Sequence, residues 1–149
     1  MSYIISRLGI KDAPSAASVM SQFGRHLPPV EGLRSFLASN SHIFVVASAG
    51  DAIVGFAYAY DLQRPDGDTM LFLYSIDVAP EHRRRGVATA LIRSLLQFGA
   101  DRGSGKMFVL TPRSNEAAIA LYRSAGGTPS NADTLLFEYP ITKNTHLSH

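Results

Sequence analysis

The 149-residue sequence predicts an α+β fold, a single domain with a central mixed β-sheet flanked by about four helices. Residues 70–78, Met-Leu-Phe-Leu-Tyr-Ser-Ile-Asp-Val, form a near-continuous apolar run, the pattern of a strand buried on both faces of a sheet. A basic, glycine-containing turn leads from that run into Ala88, Leu91, Ile92, Leu95 and Phe98, which recur at helical spacing. A hairpin pattern lies upstream and a strand-then-helix pattern downstream, so the sheet needs both antiparallel and parallel neighbours.

The elements follow in order. Residues 3–7 alternate weakly and read as a first strand. Asp12 is placed to cap a helix over 13–23, with Pro14 tolerated in its first turn. Pro28 and Pro29 break the chain before a short helix over 30–38. Strands at 43–47 and 53–60 flank the turn Ala49-Gly50-Asp51, and the polar stretch 63–68 is a loop. The helix opening at Gly86 runs to about Arg102 and stops at Gly103, and 107–110 is the next short strand. Ser114 is placed to cap a helix over 115–125 that ends at Gly126-Gly127, and 135–139 is expected as a last strand. The domain thus spans 1–141, and 142–149 is a polar tail expected to be disordered.

Composition excludes several classes of function. Apolar residues make up 46% and charged residues 17%, the balance of a globular domain. A net charge of +2 gives no case for nucleic acid, and the only basic run is the one in the turn. With no cysteine there is no disulfide, thiolate metal site or cysteine nucleophile. The histidines at 26, 42, 82, 146 and 149 lack metal-ligand spacing, so no metal is expected. No apolar run approaches the length of a membrane span and no secretory pattern opens the chain, so a cytoplasmic location is expected by default.

The turn carries the first chemical inference. Residues Arg83, Arg84, Arg85, Gly86, Val87, Ala88 and Thr89 lie where a strand gives way to a helix. The first backbone N–H groups of a helix have no intrahelical partner and sit at the positive end of its dipole, so they bind anions. Gly86 lets phosphate approach the backbone, and the three arginines add charge. Taken singly, a solvated arginine cluster or a plain turn glycine is the simpler explanation; their conjunction after an apolar strand points to a phosphate-bearing cofactor. The dinucleotide pattern of three glycines and the lysine-containing phosphate loop are both absent.

Residues 78–88, Val-Ala-Pro-Glu-His-Arg-Arg-Arg-Gly-Val-Ala, resemble the acetyl-CoA signature of the GNAT superfamily of N-acetyltransferases. In that signature a Gln or Arg is followed three residues later by Gly and five residues later by Gly or Ala, matched here by Arg83, Gly86 and Ala88. The stretch from Asn115 through Ala118 and Tyr122 to Gly126 is similar to the family's second landmark, an Asn followed by a helix ending Ala-x-x-Leu-Tyr-x-x-x-Gly. The likeness extends over 4–139. It implies the GNAT fold, with acetyl-CoA as cosubstrate and a splay between the fourth and fifth strands. In that gap the pantetheine amides would pair with the backbone around Ile76 and Val78 like an added strand. Pro80 and Pro112, which cannot donate ladder bonds, favour the same separation. By the same likeness, the signature turn, Asn115, Ala118 and Tyr122 are cofactor contacts.

Amine acetylation needs a base for the amine, donors for the developing oxyanion and a proton for the departing thiolate. Tyr122 matches the tyrosine that supplies that proton in many GNAT enzymes; otherwise it reads as a core aromatic. Asp77 interrupts an apolar strand just before the cofactor turn and is the leading base, where burial would raise its pKa; a solvent-facing strand-end aspartate is the alternative.

Within the superfamily the chain is most like the aminoglycoside 3-N-acetyltransferases of the GNAT type, through 43–47, 53–60, 81–84, 88–92 and 118–122. Such a substrate is a polycationic amine and implies a carboxylate rim, for which Asp61, Asp66, Asp68, Asp77, Glu116, Asp133 and Glu138 are candidates. Glu138 matches an acidic position of the subgroup's last strand. The subgroup commonly has Tyr-Asp-Leu-Ala-Val where this chain has Tyr74-Ser75-Ile76-Asp77-Val78, so its aspartate falls on Ser75. Positions 75 and 77 share a face of a regular strand, and a local bulge would upset that relation. Tyr74, Ser75, Asp77 and Glu138 are therefore the expected substrate contacts.

The alternatives are an acetyltransferase for a protein N-terminus, a polyamine or another small amine, and a catalytically silent CoA-binding module. Retention of Asp77 and Tyr122 weighs against the last. Dimers are common among similar proteins, and the edge of a small mixed sheet offers a route to a homodimer.

Overall fold

The computed structural model describes residues 2–26 and 29–142. Five strands form one sheet in chain order: β1 (Ile4–Arg7), β2 (His42–Ala49), β3 (Ala52–Gln63), β4 (Thr69–Val78) and β5 (Met107–Val109). The first four are antiparallel neighbours, and β4 and β5 run parallel. The four α-helices among the described residues are α1 (Ala13–Gln22), α2 (Val30–Ala38), α3 (Val87–Asp101) and α4 (Glu116–Ser124).

Side-chain alternation sorts the sheet into two cores. Ile43, Val45 and Ala47 of β2 pack with Ala57, Ala59, Leu71 and Leu73 beneath Val87, Leu91, Ile92 and Leu95 of α3. The intervening Phe44 and Val46 join Phe56 beneath Ala13, Ala16, Val19 and Met20 of α1 and Leu33 of α2. Each fully buried leucine in these layers contributes about 1.5–3 kcal/mol relative to an exposed one.

The apolar run in β4 is not buried on both faces as its sequence predicts. Leu71 and Leu73 are buried under α3, whereas Tyr74 is 59% exposed and Phe72 is half-buried. The α1–α2 layer centres on β2 and β3, and beyond it the aromatic residues cover one another. Tyr58 stacks on Tyr74 at 5.7 Å, and Phe72 stacks on Phe108 at 4.7 Å. A β-bulge interrupts this strand: Ser75 pairs with Tyr58 and Leu73 with Ala59, so Tyr74 has no partner of its own. The bulge precedes both Ser75 and Asp77, so these two still share a face, that of Tyr58 and Phe56.

Two predicted helix caps differ. The carboxylate of Asp12 accepts from Gly9 N–H at 2.7 Å, closing a 3-10 turn at Ile10–Asp12, and does not cap α1. Helix α4 is capped by Asn115 rather than Ser114. The strand expected over 135–139 is not in the sheet: Leu135, Leu136, Phe137 and Tyr139 are exposed and have no strand partner. Strand propensity states a preference, but a strand forms only where an edge receives it. Pro28 and all of the polar tail except Thr142 lie outside the described residues.

Candidate active site

The basic turn has an anion-binding shape. After a 3-10 turn at Pro80–His82, Arg84 adopts the left-handed region at φ 61°, the only non-glycine to do so among the described residues. Gly86 follows at φ 81° as the N-cap of α3, and no side chain caps the helix. Left-handed residues at such a turn make successive N–H groups converge into a concave nest. A Cβ built on Gly86 meets nothing within 4 Å, so the space a pyrophosphate needs is open beside the backbone. Val87, the first residue of α3, has its side chain buried in the core, which leaves only its backbone to serve the turn. The residues therefore fit an acetyl-CoA pyrophosphate.

Beside this turn the sheet opens. Strands β4 and β5 are paired only from Leu71–Met107 to Leu73–Val109, after which β4 continues to Val78 with no partner on that side. The separation expected around Ile76 and Val78 is thus present. Val78 N–H donates to Asp77 Oδ1 at 2.8 Å, and Val78 C=O accepts from Arg83 Nε at 3.0 Å. The Arg83 side chain is thereby tied back to the strand end, with its Nη2 3.5 Å from Asp77 Oδ1.

Asp77 is half-buried, between the burial and the solvent-facing position that the sequence offered, and lies between two guanidinium groups. The second is Arg25, just past α1, whose Nη2 donates to Ser75 Oγ at 3.1 Å and lies 3.9 Å from Asp77 Oδ2. Its guanidinium also lies over the Phe56 ring, 5.7 Å from the centroid. Ser75 and Asp77 are joined through one cation.

Tyr122 lies on the other face of the sheet, in a cavity of about 190 Å³ lined by Leu73, Ile92, Met107, Val109 and Gly127, among others. Burial pushes its hydroxyl pKa up, which keeps the proton in place at neutral pH. The end of α4 holds it: Gly126 N–H donates to Arg123 C=O, and Gly127 N–H donates to Tyr122 C=O at 2.9 Å, a Schellman closure. A Cβ on Gly127 would lie 2.9 Å from the Tyr122 carbonyl oxygen, so that position requires glycine. Asn115 Oδ1 accepts from Ala118 N–H at 3.1 Å, so these two expected cofactor contacts are partners in the cap of α4.

The profile of the acetyltransferase (GNAT) family matches residues 15–126. The chain belongs to this family. GNAT acetyltransferases use acetyl-CoA, and it is the cosubstrate here. The chain is 33% identical to N-acetyltransferase 8 of Rattus norvegicus over 102 residues, 68% of this chain and 46% of that protein. It thus spans under half the length of that curated relative. Among solved structures, the aminoglycoside acetyltransferase HMB0005 from an uncultured soil metagenomic sample is 29% identical with a TM-score of 0.83, covering 95% of this chain and 100% of that one. The CoA complex of aminoglycoside N-acetyltransferase AAC(6')-Iy shares the fold, with a TM-score of 0.76 at 21% identity, covering 93% of this chain and 95% of that one.

In this GNAT acetyltransferase the candidate rim acids do not converge. Asp61 is buried, its side chain 3% exposed, with Oδ2 2.9 Å from Arg102 Nη2; it belongs to the core and not to a rim. Asp66 and Asp68 pair with Arg64 in their own loop. Glu116 sits in the first turn of α4, and Asp133 and Glu138 lie in the exposed C-terminal segment. Among the described residues no group of three or more acidic or histidine side chains could hold a metal, and no helix is long and apolar enough to cross a membrane. The site residue that sequence reading misses is Arg25, which no local pattern ties to β4. The aromatic face was legible in the alternation Phe56, Tyr58, Tyr60 but was not assigned a role.

Proposed function

We propose that this GNAT acetyltransferase transfers the acetyl group of acetyl-CoA to the 3-amine of an aminoglycoside. The carrying observation is Asp77, held on the open face of β4 at the strand separation, one residue from the backbone groups of Ile76 and Val78 and close to the cofactor turn. In this reading the N–H groups from Arg84 to Thr89 bind the pyrophosphate, and Ile76 and Val78 pair with the pantetheine amides. Asp77 accepts the proton of the substrate amine, directly or through water, as nitrogen bonds to the acetyl carbon. The carbon–sulfur bond breaks, and the Tyr122 hydroxyl gives its proton to the departing sulfur. Arg25 and Arg83 hold the Asp77 carboxylate in position. Tyr74, stacked on Tyr58, offers a flat surface to an aminocyclitol ring beside Ser75. Glu138 is the acidic contact proposed from the C-terminal segment. The 29% identity to aminoglycoside acetyltransferase HMB0005 over nearly the whole chain supports this acceptor.

A second reading rests on Arg25. A cation 3.9 Å from the base suits an amine that also carries a carboxylate, such as an amino acid, and opposes a polycation. Acetyl-CoA-dependent thiol release against gentamicin, kanamycin, spermidine, a short peptide and phenylalanine separates the two, with the acetylated position mapped by NMR. Turnover at an aminoglycoside 3-amine is the expected result; release with only phenylalanine or peptide transfers the assignment to the second reading.

A further inference from the structure

Residues 80–86, which form the basic turn, are held mainly by bonds within the turn itself. His82 N–H donates to Ala79 C=O at 2.9 Å, and Arg83 N–H donates to Pro80 C=O at 3.3 Å. Among the described residues one hydrogen bond reaches this stretch from a distant part of the chain: the Tyr3 hydroxyl lies 3.1 Å from His82 Nδ1, across 79 positions. The two rings meet edge to face, with 5.8 Å between centroids and 80° between planes. Sheet topology brings them together. Ile5, Ala47, Gly55 and Val78 pair in one row across β1, β2, β3 and β4, so the start of β1 and the end of β4 lie at the same end of the sheet. Tyr3 also packs against the core beneath α3, which fixes the ring that carries the hydroxyl.

We propose that Tyr3 is a positioning residue for acetyl-CoA, resting on the reading above that this turn binds the pyrophosphate: its hydrogen bond to His82 holds the turn in the shape that receives the cofactor. Arg84, two residues after His82, stands at φ 61°, and a non-glycine residue keeps a left-handed conformation only where its surroundings enforce it. The chain is anchored before the turn, where Ala79 N–H donates to Val54 C=O at 2.8 Å, and after it, where the Val87 side chain is buried. Between these anchors Arg83 is tied back to β4 and His82 is tied to Tyr3. With the imidazole neutral, the phenol O–H donates to Nδ1 and the ring proton sits on Nε2; an imidazolium would donate from Nδ1 to the phenol oxygen, so the tie holds in either state. A turn ordered before the cofactor arrives spends none of the binding energy on ordering.

Tyr3→Phe removes the hydroxyl and keeps the ring in the core. It is expected to raise Kd for CoA about fivefold by calorimetry, the effect of one hydrogen bond, while kcat at saturating acetyl-CoA stays within about twofold. Calorimetry with CoA needs no acceptor, so the result is independent of which amine is acetylated. His82→Phe is expected to weaken CoA to the same extent, and the double variant to bind no more weakly than either single one, because all three lack the same bond. His82→Leu completes the cycle if His82→Phe does not fold. Unchanged CoA affinity in Tyr3→Phe, or losses that multiply in the double variant, would overturn the proposal. Gly86→Ala, which alters the turn directly, separates the two readings. Weaker CoA binding there with Tyr3→Phe unchanged removes only the tie, whereas unchanged binding in both removes the pyrophosphate site as well.

Discussion

Arg25 Nη2 lies 3.9 Å from Asp77 Oδ2, so the acceptor side of the strand opening carries a cation as well as the proposed base. With the Arg25 side chain 44% exposed, the effect of one such charge is about 1 kcal/mol, roughly fivefold in affinity. Arg25→Ala is expected to lower KM for an aminoglycoside by about that factor and to raise it for an amine bearing a carboxylate, with KM for acetyl-CoA unchanged. Steady-state kinetics with both acceptors check the sign.

Replacement of Asp77 by Asn is expected to reduce kcat by about 100-fold or more while leaving KM for acetyl-CoA within about twofold, the signature of a lost proton acceptor. Equal turnover by the Asn variant would remove Asp77 from the chemistry.

Burial raises the Tyr122 pKa above the ordinary tyrosine value of about 10. An acid works in its protonated form, so the alkaline fall in rate due to Tyr122 lies above pH about 10 and activity holds through neutral pH. Tyr122→Phe is expected to lower kcat by about 100-fold and to remove that alkaline limb; pH–rate profiles of the two proteins provide the check.

A methyl group at Gly127 would stand 2.9 Å from the Tyr122 carbonyl oxygen, which is backbone and has little freedom to yield. Gly127→Ala is expected to destabilise the fold by about 1–3 kcal/mol and to depress kcat more than KM for acetyl-CoA, because the last turn of α4 must shift under Tyr122. Urea denaturation and kinetics of the same variant give both numbers.

Arg102 neutralises the buried Asp61, whose Oδ1 has no hydrogen-bond partner, and its guanidinium lies 5.1 Å from the centroid of the Phe98 ring. Arg102→Ala strands a buried carboxylate and is expected to cost about 3–5 kcal/mol in urea denaturation, whereas replacing the pair by apolar residues of similar volume recovers much of that loss.

The order of strands and helices was legible because alternation and helical periodicity are local, and so was the basic turn after β4, where arginines and glycine mark a strand-to-helix passage. Relations that depend on distant residues were not. Arg25 reaches Ser75 across 50 positions, and nothing near either residue announces the contact. Asp61 reads as one more surface acid until Arg102 is brought to it by the end of α3. Residues 135–139 carry a strand's alternation, but whether an edge receives them is a property of packing and not of that alternation.

The bulge at Tyr74 has a larger effect than its single residue implies. Leu71, Leu73, Ser75 and Asp77 are all odd-numbered, and in an uninterrupted strand all four would point the same way. The unpaired Tyr74 shifts the phase, so Leu71 and Leu73 face the core beneath α3 while Ser75 and Asp77 face Arg25. Even-numbered Ile76 and Val78 take over on the core side. One strand thus anchors the hydrophobic interior with its first half and presents its polar residues with its second; drawing Tyr74 into a regular ladder would drive Asp77 into the oily layer beneath α3, whereas deleting Tyr74 would leave Asp77 opposite Phe56.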